Sequence, residues 1–327
     1  MQLRLPHHSS STVGQCMITS HNAAHRTALI GALFCFTSAV GFSFKSILIK
    51  LAYVYPVDAS TLLTLRMAFS LPFFLSMAFW SGRRGRYVSL ERTQWAAIVG
   101  LGFAGYYLAS YLDILGLRYI SASFERLTLF LYPTIVVILS AMLLKRRVTV
   151  FQKFALALSY AGIVLVFAEH LTVGGSTHEI WLGASLVFAS AFIYSLYLIG
   201  SAEVVGKIGA VRFTAYAMTF ACLLTFVQFL LTHPLSALAL PHPVYWLTLV
   251  MAIVSTVLPA WFMAEGLRRI GASQAAMVGS IGPIVTIVMG HFVLDEPITS
   301  VQLVGAALVL CGVLLITSRP TFQKNAA

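Results

Sequence analysis

Gly116-Leu117-Arg118-Tyr119-Ile120-Ser121-Ala122-Ser123 returns as Gly266-Leu267-Arg268-Arg269-Ile270-Gly271-Ala272-Ser273, 150 positions later. The register then holds without a gap: Pro133 falls on Pro283, Leu144 on Leu294, Thr149 on Thr299, Gln152 on Gln302, Gly162 on Gly312 and Leu165 on Leu315. Of the 52 pairs from 116/266 to 167/317, 14 are identical, whereas a composition this apolar yields roughly four by chance. The chain is built from two copies of one unit, and the repeat decides the architecture.

Composition says what kind of unit it is. The chain is 59% hydrophobic and only 9% charged, against about 25% charged in a soluble domain. Too few polar groups exist to cover a water-facing surface. Apolar stretches follow one another at 27–49, 58–80, 95–115, 122–144, 150–168, 181–201, 212–232, 244–264, 272–293 and 299–317. Crossing a bilayer takes about 20 such residues. Backbone amides in hydrocarbon must be satisfied within the segment, which requires helices or a closed barrel. These runs are continuous rather than alternating, and that excludes the barrel. The prediction is an all-α polytopic membrane protein of about ten transmembrane helices.

The net charge of +11 invites a nucleic-acid reading, but its distribution argues otherwise. With a cytoplasmic N-terminus, the inner loops collect Arg83, Arg84, Arg86, Arg92, Lys145, Arg146, Arg147, Lys153, Lys207, Arg212, Arg268 and Arg269. The outer loops hold Glu169, Glu179, Asp295 and Glu296, with Lys50 and Arg118 as their basic residues. The positive-inside rule then puts both termini in the cytoplasm of a multi-pass protein of the cell (inner) membrane. The basic excess is a topology signal.

Residues 1–26 are polar and lack an apolar core, so a disordered cytoplasmic tail is expected rather than a cleaved signal peptide. Residues 318–327 form a second tail. The tail histidines (His7, His8, His21, His25) are too loosely spaced to specify a metal site. Cys35, Cys222 and Cys311 read as small buried hydrophobes inside helices, with no Cys-x-x-Cys pair.

Five helices per copy is an odd number, so the second copy enters the membrane from the opposite side. The first repeat is placed at 27–168 and the second at 181–317. An upstream match agrees: Gly31-Ala32, Phe36, Ser38-Ala39 and Ser43 recur at Gly183-Ala184, Phe188, Ser190-Ala191 and Ser195. Inverted repeats are the plan of many secondary transporters, because two symmetry-related packings give inward-open and outward-open states of similar energy.

The same residues carry a resemblance. Gly116–Ser123, then Leu131-Tyr132-Pro133, and the copy running from Gly266 through Gly282-Pro283 resemble EamA domains of the drug/metabolite transporter superfamily. Leu294-Asp295-Glu296-Pro297-Ile298-Thr299 is similar to the family's Leu-Gly-Glu-x-x-Thr turn, while the first copy reads Leu144-Lys145-Arg146-Arg147 and lacks the acidic residue. The resemblance covers about 27–317. It implies two inverted five-helix EamA-like repeats around a central cavity, alternating access without ATP, and export of small organic metabolites.

Ionisable side chains within the bilayer cost at least about 2.5–3.5 kcal/mol each, so they face partners or a water-filled cavity. Arg66 lies about 12 Å into the second span at 1.5 Å per residue. Lys45 lies within two turns of the outer end of the first span, Asp113 closes the third, and Glu125-Arg126 sits in the first turn of the fourth, all in the outer half of the first repeat. In the second copy Asp113 becomes Met263, and Glu125-Arg126 becomes Ala275-Ala276. The fold does not need these charges, which makes them candidate substrate-binding residues. Structural alternatives stand beside each. Lys45 is placed to snorkel, Glu125 to complement a helix N-terminus, and Asp113 to pair with Arg118. Neighbours on a helix point about 100° apart, so Glu125 and Arg126 cannot both face one cavity. Tyr107 and Tyr111 share a helix face and form either a stacking wall for an organic substrate or an interfacial belt. Trp80, Trp95, Trp181 and Trp246 read as belt residues.

Pro133 and Pro283 sit at equivalent mid-helix positions, where proline removes an amide and displaces a carbonyl. Paired interruptions point to a transport site or hinge. No His-Glu-x-x-His, Walker loop or Gly-x-Ser-x-Gly is present, so no enzyme activity is expected. A channel-like facilitator or an uptake carrier remains an alternative to an exporter. The expected partners are a small-molecule substrate, with an amino acid or organic acid favoured by the excess of cations, and the lipid bilayer. A coupling ion and a homodimer are compatible with this reading; nucleic acid, metal and cofactor are not expected.

Overall fold

The computed structural model describes residues 10–84, 90–143, 145, 148–173 and 176–318, with the backbone alone at 10–25, 81–84, 173, 203, 264, 267, 271–273, 276 and 318. Among the described residues, ten helices are long and apolar enough to cross a membrane. They are α1 (Arg26–Ala52), α2 (Ala59–Trp80), α3 (Arg92–Gly116), α4 (Ala122–Leu143), α5 (Val150–Thr172), α6 (Thr177–Ala202), α7 (Ala210–Thr232), α8 (His242–Ile270), α9 (Met277–Leu294) and α10 (Ser300–Thr317). Each apolar run of the sequence maps onto one of them. Of the tails placed at 1–26 and 318–327, residues 1–9 and 319–327 lie outside the described residues; helical backbone leads into α1 from Ser10.

The two repeats grip each other crosswise. α1 packs on α8 and α6 on α3, and both crossings are made by glycines. A Cβ on Gly31 of α1 would meet Ile270 Cγ2 at 2.5 Å, and one on Gly183 of α6 would meet Ile120 Cγ2 at 2.7 Å. Their partners are Gly266 and Gly116 from the opening motif, so the glycines of that motif let backbones touch. Two serines per repeat reinforce the contact. Ser38 Oγ donates to the Pro259 carbonyl at 2.7 Å, and its copy Ser190 donates to the Ala109 carbonyl at 2.7 Å. Ser43 Oγ reaches the Gly282 carbonyl at 2.9 Å, and its copy Ser195 reaches the Tyr132 carbonyl at 3.1 Å. Repeated residues thus make repeated bonds across the interface between two inverted copies.

Both copies also break their helices at matching places. α3 widens into a π-helix at Phe103–Leu108, and α8 does so at Ile253–Val257. α4 is divided into Ala122–Leu129 and Tyr132–Leu143. Before α9 the helix from Leu258 ends at Gly279, and a new one starts at Gly282. This corrects the mid-helix placement of the prolines. Pro133 and Pro283 lie in the first turn of the second segment, where a missing amide leaves no hydrogen bond unmade. The Tyr132 and Gly282 carbonyls held by Ser195 and Ser43 belong to these breaks.

Large apolar side chains cover the outer faces: Leu29, Leu33, Phe79, Val150, Leu231 and Phe292 are all more than half exposed. Trp80, Trp95, Trp181 and Trp246 are exposed near helix ends. Cys35 and Cys222 are buried, but Cys311 is exposed. It corrects the expectation of a buried thiol there, because α10 turns that face away from α5.

Candidate functional site

The predicted ionic residues converge on one place between α1, α2, α3 and the first half of α4. Lys45 Nζ of α1 lies 2.6 Å from Asp113 Oδ2 of α3. Lys45 therefore does not snorkel: its side chain is 15% exposed and turned inward. Nor does Asp113 pair with Arg118, which is exposed beyond the end of α3. One residue further along α1, the Ser46 hydroxyl donates to Glu125 Oε2 at 2.5 Å. Asp113 and Glu125 are themselves within hydrogen-bonding reach of one another.

Glu125 leans on Ser46 rather than on the helix N-terminus. That terminus belongs to Glu296, from the corner between α9 and α10. Its carboxylate accepts from Ala122 N at 2.7 Å, Ser123 N at 3.1 Å and Ser123 Oγ at 2.7 Å. An anion facing free amides at a positive helix end is doubly favoured. The acidic residue that only the second copy keeps is thus used to close the first copy's α4. Gly290 stands under this contact, and a Cβ there would come within 2.9 Å of Glu296 Oε2.

Two guanidinium groups flank the carboxylates. Arg66 of α2 is 4% exposed, with Asp113 and Cys222 as its electrostatic neighbours. Its Nε is buried without a hydrogen-bond partner, as is Ser70 Oγ one turn on. Arg126 diverges from Glu125 as neighbours on a helix must. It runs towards the break before α9, where a Cβ on Gly282 would meet Arg126 Nη2 at 3.0 Å. Arg126 Nε is also buried and unpartnered. These are side chains made for planar, two-pronged contact with a carboxylate.

Tyr107 and Tyr111 stack at 6.4 Å between ring centroids and pack against the apolar core of α1 and α2. A different set of tyrosines, which the sequence reading missed, gathers beside Arg126. Tyr132 of α4 meets Tyr194 of α6 edge-on at 5.3 Å, Tyr194 stacks on Tyr197 at 5.5 Å, and Tyr197 OH donates to Tyr106 OH at 2.8 Å. Arg126 is an electrostatic neighbour of both Tyr132 and Tyr194. The available signal was Tyr194 and Tyr197 on one face of α6, at the positions that Phe42 and Lys45 hold in the first copy. The π-helix of α3 obscured the rest, since it changes which of Tyr106 and Tyr107 faces α6.

A surface groove of about 550 Å³ opens between the ends of α1 and α8, lined by Leu51, Val54, Tyr55, His242, Pro243, Trp246 and Leu247. It is mostly apolar, with Tyr55 and His242 as its polar side chains, and none of the ionic cluster lines it. Among the described residues no group of histidine, cysteine and acidic side chains is arranged to hold a metal ion.

Comparison with known proteins agrees with this architecture. The EamA-like transporter family matches residues 29–168 and again 181–318. The uncharacterized transporter YcbK of Bacillus subtilis is 30% identical over 307 residues, covering 91% of this chain and 95% of that protein. The uncharacterized transporter sll1319 of Synechocystis is 24% identical, covering 91% and 97%. A solved crystal structure superposes with a TM-score of 0.59 at 16% identity, over 87% of this chain and 95% of its own, and shares the fold. Two matched copies, ten apolar helices and a crosswise interface make one conclusion: the chain belongs to the EamA-like transporter family.

Proposed function

We propose that the chain is a secondary carrier that moves a small organic metabolite bearing a carboxylate, an amino acid or organic acid, outward across the cell's inner membrane. The observation that carries this reading is a pair of arginines, Arg66 buried and Arg126 half-buried, whose Nε atoms are both sealed from solvent. Arg66 and Arg126 each keep an unpartnered Nε, while the two nearby carboxylates already have partners in Lys45 and Ser46. A buried guanidinium N–H left without an acceptor is costly unless an anion completes it. The second copy has no counterpart to these charges, so the fold does not call for them. Arg126 orients the carboxylate from the broken α4, and the neighbouring tyrosines receive the apolar remainder of the substrate.

The repeats, taken as 27–168 and 181–317, rock against each other through the glycine crossings, with Pro133 and Pro283 at the hinges. The inner-loop cations support a cytoplasmic location for both termini. A ligand screen by thermal stabilisation of the purified protein identifies the carboxylate, because binding raises apparent stability by mass action. In proteoliposomes, Arg66→Ala then lowers transport at least tenfold with protein abundance unchanged. Wild-type transport by that variant removes Arg66 from the site. Counterflow accelerated by preloaded substrate marks a carrier; its absence favours a channel-like facilitator.

A further inference from the structure

Asp113 and Glu125 arrive from different helices, and each has one carboxylate oxygen accounted for. Asp113 Oδ2 takes Lys45 Nζ at 2.6 Å, and Glu125 Oε2 takes the Ser46 hydroxyl at 2.5 Å. The remaining oxygens, Asp113 Oδ1 and Glu125 Oε1, are sealed from solvent and have no donor. The residues are 1% and 0% exposed, with their carboxyls within hydrogen-bonding reach of each other. Two carboxyl groups in reach of one another cannot both stay charged in a dry site without a hydrogen between them. One proton satisfies both.

We propose that Asp113 and Glu125 form a binding site for a single proton, shared between their two carboxyl groups, whose occupancy is tied to that of the two arginines. The proton's part in transport rests on reading this cluster as the transport site; its existence does not. The charged and titratable groups around the pair are Lys45 and Lys50 on α1, Tyr53 in the turn after it, Arg66 on α2, Arg126 on α4 and Glu296 at the α9–α10 corner.

When the proton leaves to water, two carboxylates are left in contact, and one must turn to a cation. Lys45 is already engaged. The open positions are on Arg66 and Arg126, where the substrate carboxylate is to bind. The deprotonated pair therefore competes with the substrate for the same guanidinium groups. An anion seated on the arginines, conversely, leaves the pair no alternative to its proton. Proton and anionic substrate are bound together, and linkage makes the effect reciprocal. This arrangement predicts co-transport of one proton with the anion rather than exchange.

Infrared spectroscopy of the full chain in lipid nanodiscs, titrated in H₂O and D₂O, tests the site without any substrate. The wild type is expected to show the stretch of one protonated buried carboxyl near neutral pH, shifted in D₂O and lost on alkalinisation. Asp113→Asn and Glu125→Gln each abolish the band, because the carboxamide supplies the missing hydrogen. Their melting temperatures report that the fold survives. Arg66→Met removes the cation to which the deprotonated pair would turn, so the band persists to a pH higher by about one unit or more. A wild type without the band, or a band that survives both amide variants, overturns the proton site. An unchanged titration in Arg66→Met overturns its link to the arginines. Failure of the substrate reading shows itself separately, as a carboxylate screen with no stabilisation beside an intact infrared titration.

Discussion

Lys45 on α1 and Tyr197 on α6 occupy matching positions in the two copies, and their side chains meet α3 in different ways. Lys45 forms an ion pair with Asp113, while Tyr197 donates to the hydroxyl of Tyr106. The corresponding positions on α8 are Met263 and Thr256, so neither arrangement is mirrored there. One helix of the first copy has gathered both kinds of polar contact, and its counterpart lacks both. The serine bonds and glycine crossings, by contrast, appear once in each half. Symmetric contacts hold the repeats together; asymmetric ones distinguish this transporter from a bare scaffold.

Three substitutions sharpen that contrast, beginning with the costliest. Lys45→Met leaves the Asp113 carboxylate buried without its cation and is expected to destabilise the protein by about 3–5 kcal/mol. Adding Asp113→Asn to it should recover most of the melting temperature but not transport. Recovery of both would make the pair a purely structural feature. Glu296→Ala deprives Ala122 and Ser123 amides of their acceptor and is expected to cost about 1–2 kcal/mol, within the range for lost helix caps. The sequence has Arg146 at the matching site of the first copy, a cation that cannot accept from backbone amides. A melting temperature unchanged in Glu296→Ala would mean that the cap adds nothing. Tyr197→Phe removes one neutral hydrogen bond and should cost about 1 kcal/mol. An effect as large as that of Lys45→Met would abolish the distinction between the ionic and aromatic sides.

Much of the fold was legible in the chain. The Gly116 and Gly266 motifs announced the duplication, and the same glycines prove to be the crossing points with Gly183 and Gly31. Ser38 and Ser43 matched Ser190 and Ser195 in sequence before they matched in hydrogen bonding. The depth of Arg66, Lys45, Asp113 and Glu125 was legible too, because charges in apolar runs stand out. Their partners were not. Ser46 looked like any small helix residue, and Tyr106 was passed over because a regular helix placed Tyr107 and Tyr111 on the face of interest. The π-helix at Phe103–Leu108 changes that phase, and nothing in a hydrophobic run declares it.

The sequence by itself determined the ten spans, their duplication and the inversion of the second copy. Bilayer thickness and the need to satisfy backbone amides act on local composition, and an odd helix count does the rest. Only the tertiary structure decided that Lys45 meets Asp113 across 68 residues, Ser46 meets Glu125 across 79, and Glu296 caps α4 across 174. Those contacts depend on how each helix is rotated against its neighbours. That rotation is set by crossings, breaks and a π-turn shared between the halves, and no single span contains the information.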